Sequence, residues 1–257
     1  MESGARRFRG IERLYGSEDW ELMQAARVTV IGLGGVGCWA VEALARSGIS
    51  HLDLVDVDLL TESNINRHVA ALSSTFGMNK SDALAQRCLE INPRLSIRTH
   101  DCYLEESTLQ ALMDPVPDLV LDCCDDLQAK KILLLWCRRR RIPLVLAGAT
   151  GGKSNPSELK ISDLALTERD PLLAKLRREL RRHHQASAEP GKKWGVPVVY
   201  SGESQKIPAA CDRADLSCSG MGSNMLVPCS MALLMVQEGL RHMIRRMRLK
   251  IERQQAC

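Results

Sequence analysis

Aromatic side chains are scarce in this chain: four Trp, three Tyr and two Phe make up 4% of its 257 residues. So small a stock argues against a surface that grips nucleic acid by stacking successive bases. Long apolar runs are missing too, and no stretch reaches the length that spans a bilayer. The first residues are polar and arginine-bearing, without the apolar segment of a secretory signal. A cytosolic start is the expectation. The same start would suit part of a transit sequence, and it leaves peripheral attachment to a membrane open. Cysteine is not scarce, with ten residues, but C-x-x-C is absent and no Cys/His grouping has zinc-finger spacing. Zinc and a disulfide framework are therefore not expected, and reduced thiols packed as small core hydrophobes are. Also missing is G-x-x-x-x-G-K-[ST], so any triphosphate would be bound without a P-loop. Net charge is only +4, which implies no global basic field.

What is present is organised around Val28-Thr-Val-Ile-Gly-Leu-Gly-Gly-Val-Gly37. Val28 to Ile31 read as a short buried strand, Gly32, Gly34 and Gly37 fit G-x-G-x-x-G, and Val36 to Ala45 read as the helix that follows. Glycine permits the tight turn and close backbone approach to a phosphate, while the helix N-terminus offers N–H groups and positive dipole. Asp56, about 20 residues past the last glycine, ends a second apolar strand, where a carboxylate can accept from a ribose. Further strand and helix signals alternate to Ala147. They predict an α/β fold, a doubly wound and largely parallel Rossmann-like sheet. A helical arm over 1–27 precedes a nucleotide-binding unit over 28–152. Residues 153–257 form a C-terminal elaboration of the same domain. In it a basic helix is expected over 172–184, a long apolar helix over 223–243, buried or at an interface, and then a charged, helix-prone tail over 245–253.

A lone glycine motif would default to a dehydrogenase. Here Asp56 and Asp58 end the second strand, and Asn64, Asn66 and Arg67 lie in the loop that follows. Lys80 opens a helix, where its charge opposes the dipole and makes sense facing an anion. Asp122 and Asp125 follow the fourth strand. The set supplies ribose acceptors, two cationic phosphate ligands and a carboxylate for magnesium, which suits a triphosphate with a leaving pyrophosphate. A nicotinamide-dependent oxidoreductase needs none of that apparatus.

These motifs, with Asp118-Leu-Val-Leu-Asp-Cys-Cys-Asp125, resemble the adenylating domain of the ubiquitin-activating superfamily, which includes the molybdopterin- and thiamine-biosynthesis adenylyltransferases. The resemblance implies that Gly35 lies against the phosphates and Asp56 on the ribose. It places Asn64, Asn66, Arg67 and Lys80 on ATP, and Asp125 on magnesium. Arg7 to Gly16, Asp163 to Arg177, Gly195 to Glu203 and Cys218 to Ser223 are similar to the tRNA threonylcarbamoyladenosine dehydratase branch. Members of that branch are implied to adenylate the threonyl carboxylate of threonylcarbamoyladenosine beside the tRNA anticodon, then cyclise it with release of AMP. The superfamily implies a homodimer, to which the apolar helix adds weight, and an arginine reaching the phosphates from the partner's N-terminal arm. Arg13 or Arg9 would serve, and Arg13 is chosen. Cys218 corresponds to a cysteine of the branch and reads as structural or as catalytic. A monovalent cation as a further cofactor and a sulfur-relay protein as a partner are left open. Arg138 to Arg141, the helix through Arg182 and Arg245-Arg246 are either solvated faces or phosphate contacts for RNA. The competing readings are an activator of a ubiquitin-like or sulfur-carrier protein and a non-catalytic RNA-binding module.

Overall fold

The computed structural model describes residues 3–184, 186–206 and 221–255. Cys218 lies outside the described residues. Two N-terminal helices, α1 (Ser3–Tyr15) and α2 (Ser17–Ala25), lead into β1 (Arg27–Ile31). The strands that follow are β2 (His51–Val55), β3 (Ser96–His100), β4 (Leu119–Asp122), β5 (Leu144–Ala147), β6 (Leu159–Asp163) and β7 (Pro197–Ser201). They form one sheet in the order β3-β2-β1-β4-β5-β7-β6. Every pair is parallel except β6 with β7. Strands β6 and β7 thus extend the sheet of the first half through pairing of β5 with β7.

The helices cover both faces, and strand composition reflects it. Central strands buried on both sides read as continuous Val/Leu/Ile runs rather than as alternation. On one face Val28, Val30, Leu52, Leu54, Leu119 and Leu121 pack with α3 (Gly37–Arg46), α4 (Lys80–Ile91) and α8 (Leu226–Gln255). On the other, Ile31, Val55, Val120, Leu144, Leu146 and Val198 pack with α6 (Leu127–Arg140) and α7 (Pro171–His183). A short α5 (Glu106–Leu112) lies on the same side as α6. The chain builds β1, β2 and β3 outward, then returns to place β4 on the other side of β1. That reversal opens a crevice beyond the C-terminal ends of β1 and β4, where ligands of such sheets sit.

The C-terminal helix runs on through the helix-prone tail. The 223–243 helix and the charged tail are one element of 30 residues. Its buried stripe, including Val227, Met231, Met235, Leu240 and Met243, lies on the sheet and on α3, and its charged residues past Ile244 simply continue the helix. The sheet of its own chain covers this apolar face, so its length gives no argument for a homodimer. Among the described residues no helix is long and apolar enough to cross a membrane. The seven cysteines among them are free thiols, with Cys38, Cys88 and Cys137 buried.

Candidate adenylate-binding site

The glycine loop between β1 and α3 is shaped by close backbone approach. Gly32 takes φ +79°, and a Cβ there would come 2.7 Å from the Cys124 nitrogen. A Cβ on Gly37 would meet the Gly32 carbonyl oxygen at 1.9 Å. Gly34 is different: nothing lies within 4 Å of its Cβ direction, so this part of the loop faces open space. At Gly35 a Cβ would press on the Arg67 side chain at 3.2 Å. Two glycines therefore close the turn, and two leave room for a ligand with a guanidinium stem alongside.

Asp56 stands at the end of β2 and holds that loop. Its Oδ2 accepts from the Leu33 backbone N–H at 2.6 Å, and its Oδ1 from the Asp58 N–H at 2.8 Å. A carboxylate has about four acceptor positions, so a ribose contact would add to these bonds rather than replace them. Lys80, buried at the start of α4, places Nζ 2.5 Å from Asp58 Oδ2 and 3.8 Å from Asp56 Oδ1. The anion expected opposite this lysine is thus Asp58 in the ligand-free chain. An arriving phosphate would find a cation already oriented.

The 62–68 segment carries the remaining contacts. Asn64 is buried and turned to local use: its Oδ1 accepts from the Thr61 N–H at 3.1 Å, capping the Glu62–Asn64 turn. Asn66 donates to the Ser223 carbonyl at 2.9 Å and accepts from Arg67 Nη1 at 3.0 Å. Arg67 also donates to the Ser63 carbonyl at 2.6 Å, and its own carbonyl accepts from Trp39 Nε1 of α3 at 2.9 Å. The guanidinium is braced against the glycine loop before any ligand arrives.

Asp125 follows β4 and is exposed; no described residue donates a hydrogen bond to it. Its neighbour Asp126 caps α6, accepting from the Ala129 N–H at 2.7 Å. Asp125 is one carboxylate rather than a cage, and among the described residues no cluster of three ligating side chains forms. That fits magnesium, which is held by one or two carboxylates together with substrate phosphates. Arg13 is not brought to this site in its own chain. It lies exposed on α1, which docks through Arg7 on the Glu90 and Ile91 carbonyls and through Phe8 with Trp20 near Gly48. Those anchors are at the opposite edge of the sheet.

Three features escaped the sequence reading. Lys130 is fully buried and pairs with Asp122 at 3.1 Å, which takes Asp122 out of the ligand set. Lys153 and Asp170 form a second fully buried pair at 3.7 Å, with Asp170 also accepting from the Ala149 N–H. His68 lies buried under the glycine loop, its Nδ1 accepting from the Ala70 N–H at 3.1 Å.

Burial, with the charges of Lys80 and Arg67 acting in the same sense, pushes the His68 pKa down to about 4. The folded protein therefore binds this proton later than the unfolded chain does. The corresponding stability is present above the ordinary value near 6.5 and lost as pH falls toward 4. Over that window the loss is at most ~3 kcal/mol. Denaturant midpoints measured from pH 7 to pH 4 should drop more steeply in the parent than in His68→Asn. Parallel curves would remove His68 as the cause.

Residues 8–254 match the ThiF family. The chain is 34% identical over 251 residues to the tRNA threonylcarbamoyladenosine dehydratase of Escherichia coli (strain K12), covering 93% of each. It is 37% identical over 201 residues to the enzyme of that name from Haemophilus influenzae, covering 78% of this chain and 77% of the relative. The solved structure of E. coli tRNA N6-threonylcarbamoyladenosine dehydratase in complex with ATP superposes with a TM-score of 0.87 at 33% identity. It covers 96% of this chain and 97% of that one.

Proposed function

The chain belongs to the ThiF family, and from that premise we propose that it is an ATP-dependent tRNA threonylcarbamoyladenosine dehydratase. The observation that carries the reading is the open Gly34–Gly35 peptide flanked by Arg67 and backed by Asp56 and Lys80. The loop is open at Gly34, the Arg67 side chain runs beside Gly35, and Lys80 stands on the Asp56–Asp58 pair behind it.

The threonyl carboxylate attacks the α-phosphorus of ATP. Pyrophosphate leaves, and a poor electrophile becomes a mixed anhydride. A nucleophile within the same modified nucleoside then displaces AMP and closes the ring, with net loss of water. Because nucleophile and electrophile share one molecule, proximity supplies much of the rate and no protein nucleophile is needed. In this reading Arg67 and Lys80 oppose the charge that accumulates as pyrophosphate departs. Asp56 holds the loop and accepts from the ribose. Asp125 would hold magnesium, whose bound charge would further neutralise the triphosphate.

We place Arg13 in trans: it is exposed on α1, whose anchors Arg7 and Phe8 sit at the opposite edge of the sheet, and a homodimer would bring it to a neighbour's phosphates.

The test is a nucleoside digest read by mass spectrometry. With ATP, magnesium and tRNA bearing threonylcarbamoyladenosine, that nucleoside should appear one water lighter with AMP released. Pyrophosphate exchange driven by a ubiquitin-like protein instead, with tRNA untouched, would refute the assignment. In the same assay, mixing Arg13→Ala chains with Asp125→Ala chains should restore turnover that neither shows alone. No restoration would sink the trans arginine.

A further inference from the structure

Two basic clusters that lie far apart in sequence meet in space at the sheet edge opposite the glycine loop. Helix α6 ends there in Arg138, Arg139 and Arg140, with Arg141 as its left-handed C-cap. Helix α8 ends on the other face, presenting Arg245, Arg246, Lys250 and Arg253. Between the two helix ends runs a groove of about 610 Å³, floored by Pro143 and Leu144 at the start of β5 and by Trp194 to Pro197 ahead of β7. Arg138, Arg140 and Arg141 line it from the α6 side, facing the four cations of α8. Among the described residues no carboxylate lines it. Among the described residues the acid in ion-pair contact with these cations is Asp118, 4.0 Å from Arg246 and 3.7 Å from Lys250, which leaves the balance strongly positive. Arg140 lies over the Trp136 ring at 4.5 Å. Arg181 of α7 lies over Trp194 at 5.5 Å, which carries the cationic surface onto a third helix.

Helix chemistry explains part of this and leaves the rest. Arginines in a last turn offset the negative end of the dipole, which accounts for Arg138 to Arg140 on α6. It does not account for cations of α8 converging on the same groove, Arg245 and Arg246 lying more than two turns before the end of that helix. Asp118 offsets one of the seven positive charges, and the remaining like charges repel unless a further anion shares the space. A groove lined on both sides by guanidinium groups, with few aromatics, matches a repeating phosphate backbone read by charge and shape rather than by base.

We infer that this groove is a second anchoring site, one that binds the sugar–phosphate backbone of the tRNA away from the modified nucleoside. The inference rests on the reading of the substrate as a tRNA. The strands between the two edges are five residues or fewer, roughly 17 Å at ~3.3 Å per residue. A folded RNA much larger than one nucleoside can engage both edges of such a sheet, or the reacting edge of one subunit and the groove of another. The active-site edge then supplies chemistry, and the groove supplies affinity for the RNA body.

The experiment compares full-length tRNA with an isolated anticodon stem-loop carrying the same modified nucleoside. The variant is Arg138→Ala/Arg141→Ala/Arg253→Ala, three exposed side chains remote from the glycine loop. Binding is followed by fluorescence anisotropy across a salt series, and turnover by mass spectrometry. For full-length tRNA, affinity at ~0.1 M salt should fall about tenfold or more. The slope of log K against log salt should shrink by about two, as expected when three phosphate contacts go. Affinity and turnover on the stem-loop should stay at the parent's level. Parent-like affinity and salt slope on full-length tRNA would overturn the groove. So would an equal loss on the stem-loop, since the groove would not be a separate anchor. If the parent neither binds nor dehydrates either RNA, the tRNA reading itself has failed and the groove falls with it.

Discussion

Asp125→Ala should lower the rate of dehydration by on the order of 10²–10³-fold while leaving the thermal midpoint within a few degrees of the parent. The magnitude is that of removing one charge-stabilising group from a transition state of this kind. The expectation of unchanged stability comes from geometry. Asp125 is exposed and accepts no hydrogen bond from any described residue, whereas its neighbours Asp122 and Asp126 are committed to Lys130 and to the first turn of α6. Surface changes away from such commitments usually move stability by no more than about 0.5 kcal/mol. Two readouts separate the possibilities. Raising the magnesium concentration should recover part of the lost rate if the carboxylate holds the metal. A variant with parent-like turnover at sub-millimolar magnesium would take Asp125 out of the reaction altogether. A fall of many degrees in midpoint would instead make it a structural residue.

The contrast between Asp125 and its neighbours marks what the sequence could and could not convey. The strands were legible because parallel strands buried on both faces are runs of Val, Leu and Ile between breakers, as in Val28–Ile31 and Leu119–Leu121. The glycine loop was legible because only glycine fits where a Cβ would lie 1.9 Å from a carbonyl oxygen. Strand ends also showed which acids and amides gather at the crevice, and Asp56, Asn66, Arg67 and Lys80 do gather there. How those groups spend their hydrogen bonds was not legible. Asp56 holds the Leu33 and Asp58 N–H groups, Asn64 caps its own turn, and Lys80 leans on Asp58. Such partners are set by tertiary geometry, to which spacing is blind. That the apolar helix and the helix-prone tail form one element was only partly legible, for a similar reason. A switch from apolar to charged residues near Ile244 marks where α8 leaves the sheet, not where its hydrogen bonding stops. The groove shows the same limit on a larger scale, since Arg138 and Arg253 look unrelated until α6 and α8 place them on facing walls.

Lys130 was the least legible residue of all. In sequence it is half of a Lys130-Lys131 pair on a helix ending in arginines, which reads as solvated. Its register, three and four residues before Leu133 and Leu134, was the available clue that it shares their buried face.

Lys130→Met is expected to destabilise the fold by about 3–5 kcal/mol, the cost of leaving one member of a buried ion pair without the other. For a chain of this size that corresponds to a fall of roughly 6–20 °C in the thermal midpoint. Both side chains are fully buried, and Lys130 Nζ sits 3.1 Å from Asp122 Oδ1 and 3.0 Å from the Ala147 carbonyl. Burial alone would push the ammonium pKa down, but Asp122 outweighs it and holds the group above its ordinary value. The pair ties the end of β4 to the end of β5 directly beneath the crevice. Asp122 Oδ1 also accepts from the Cys124 N–H at 3.2 Å, which fixes the turn that presents Asp125. Asp122→Asn combined with Lys130→Met removes both charges, so the double variant should regain most of the lost stability. Its activity should recover less than its midpoint, because an asparagine oxygen holds the Cys124 N–H more weakly than a carboxylate does. A single Lys130→Met variant melting within about 2 °C of the parent would refute the pair as a charged staple of the fold.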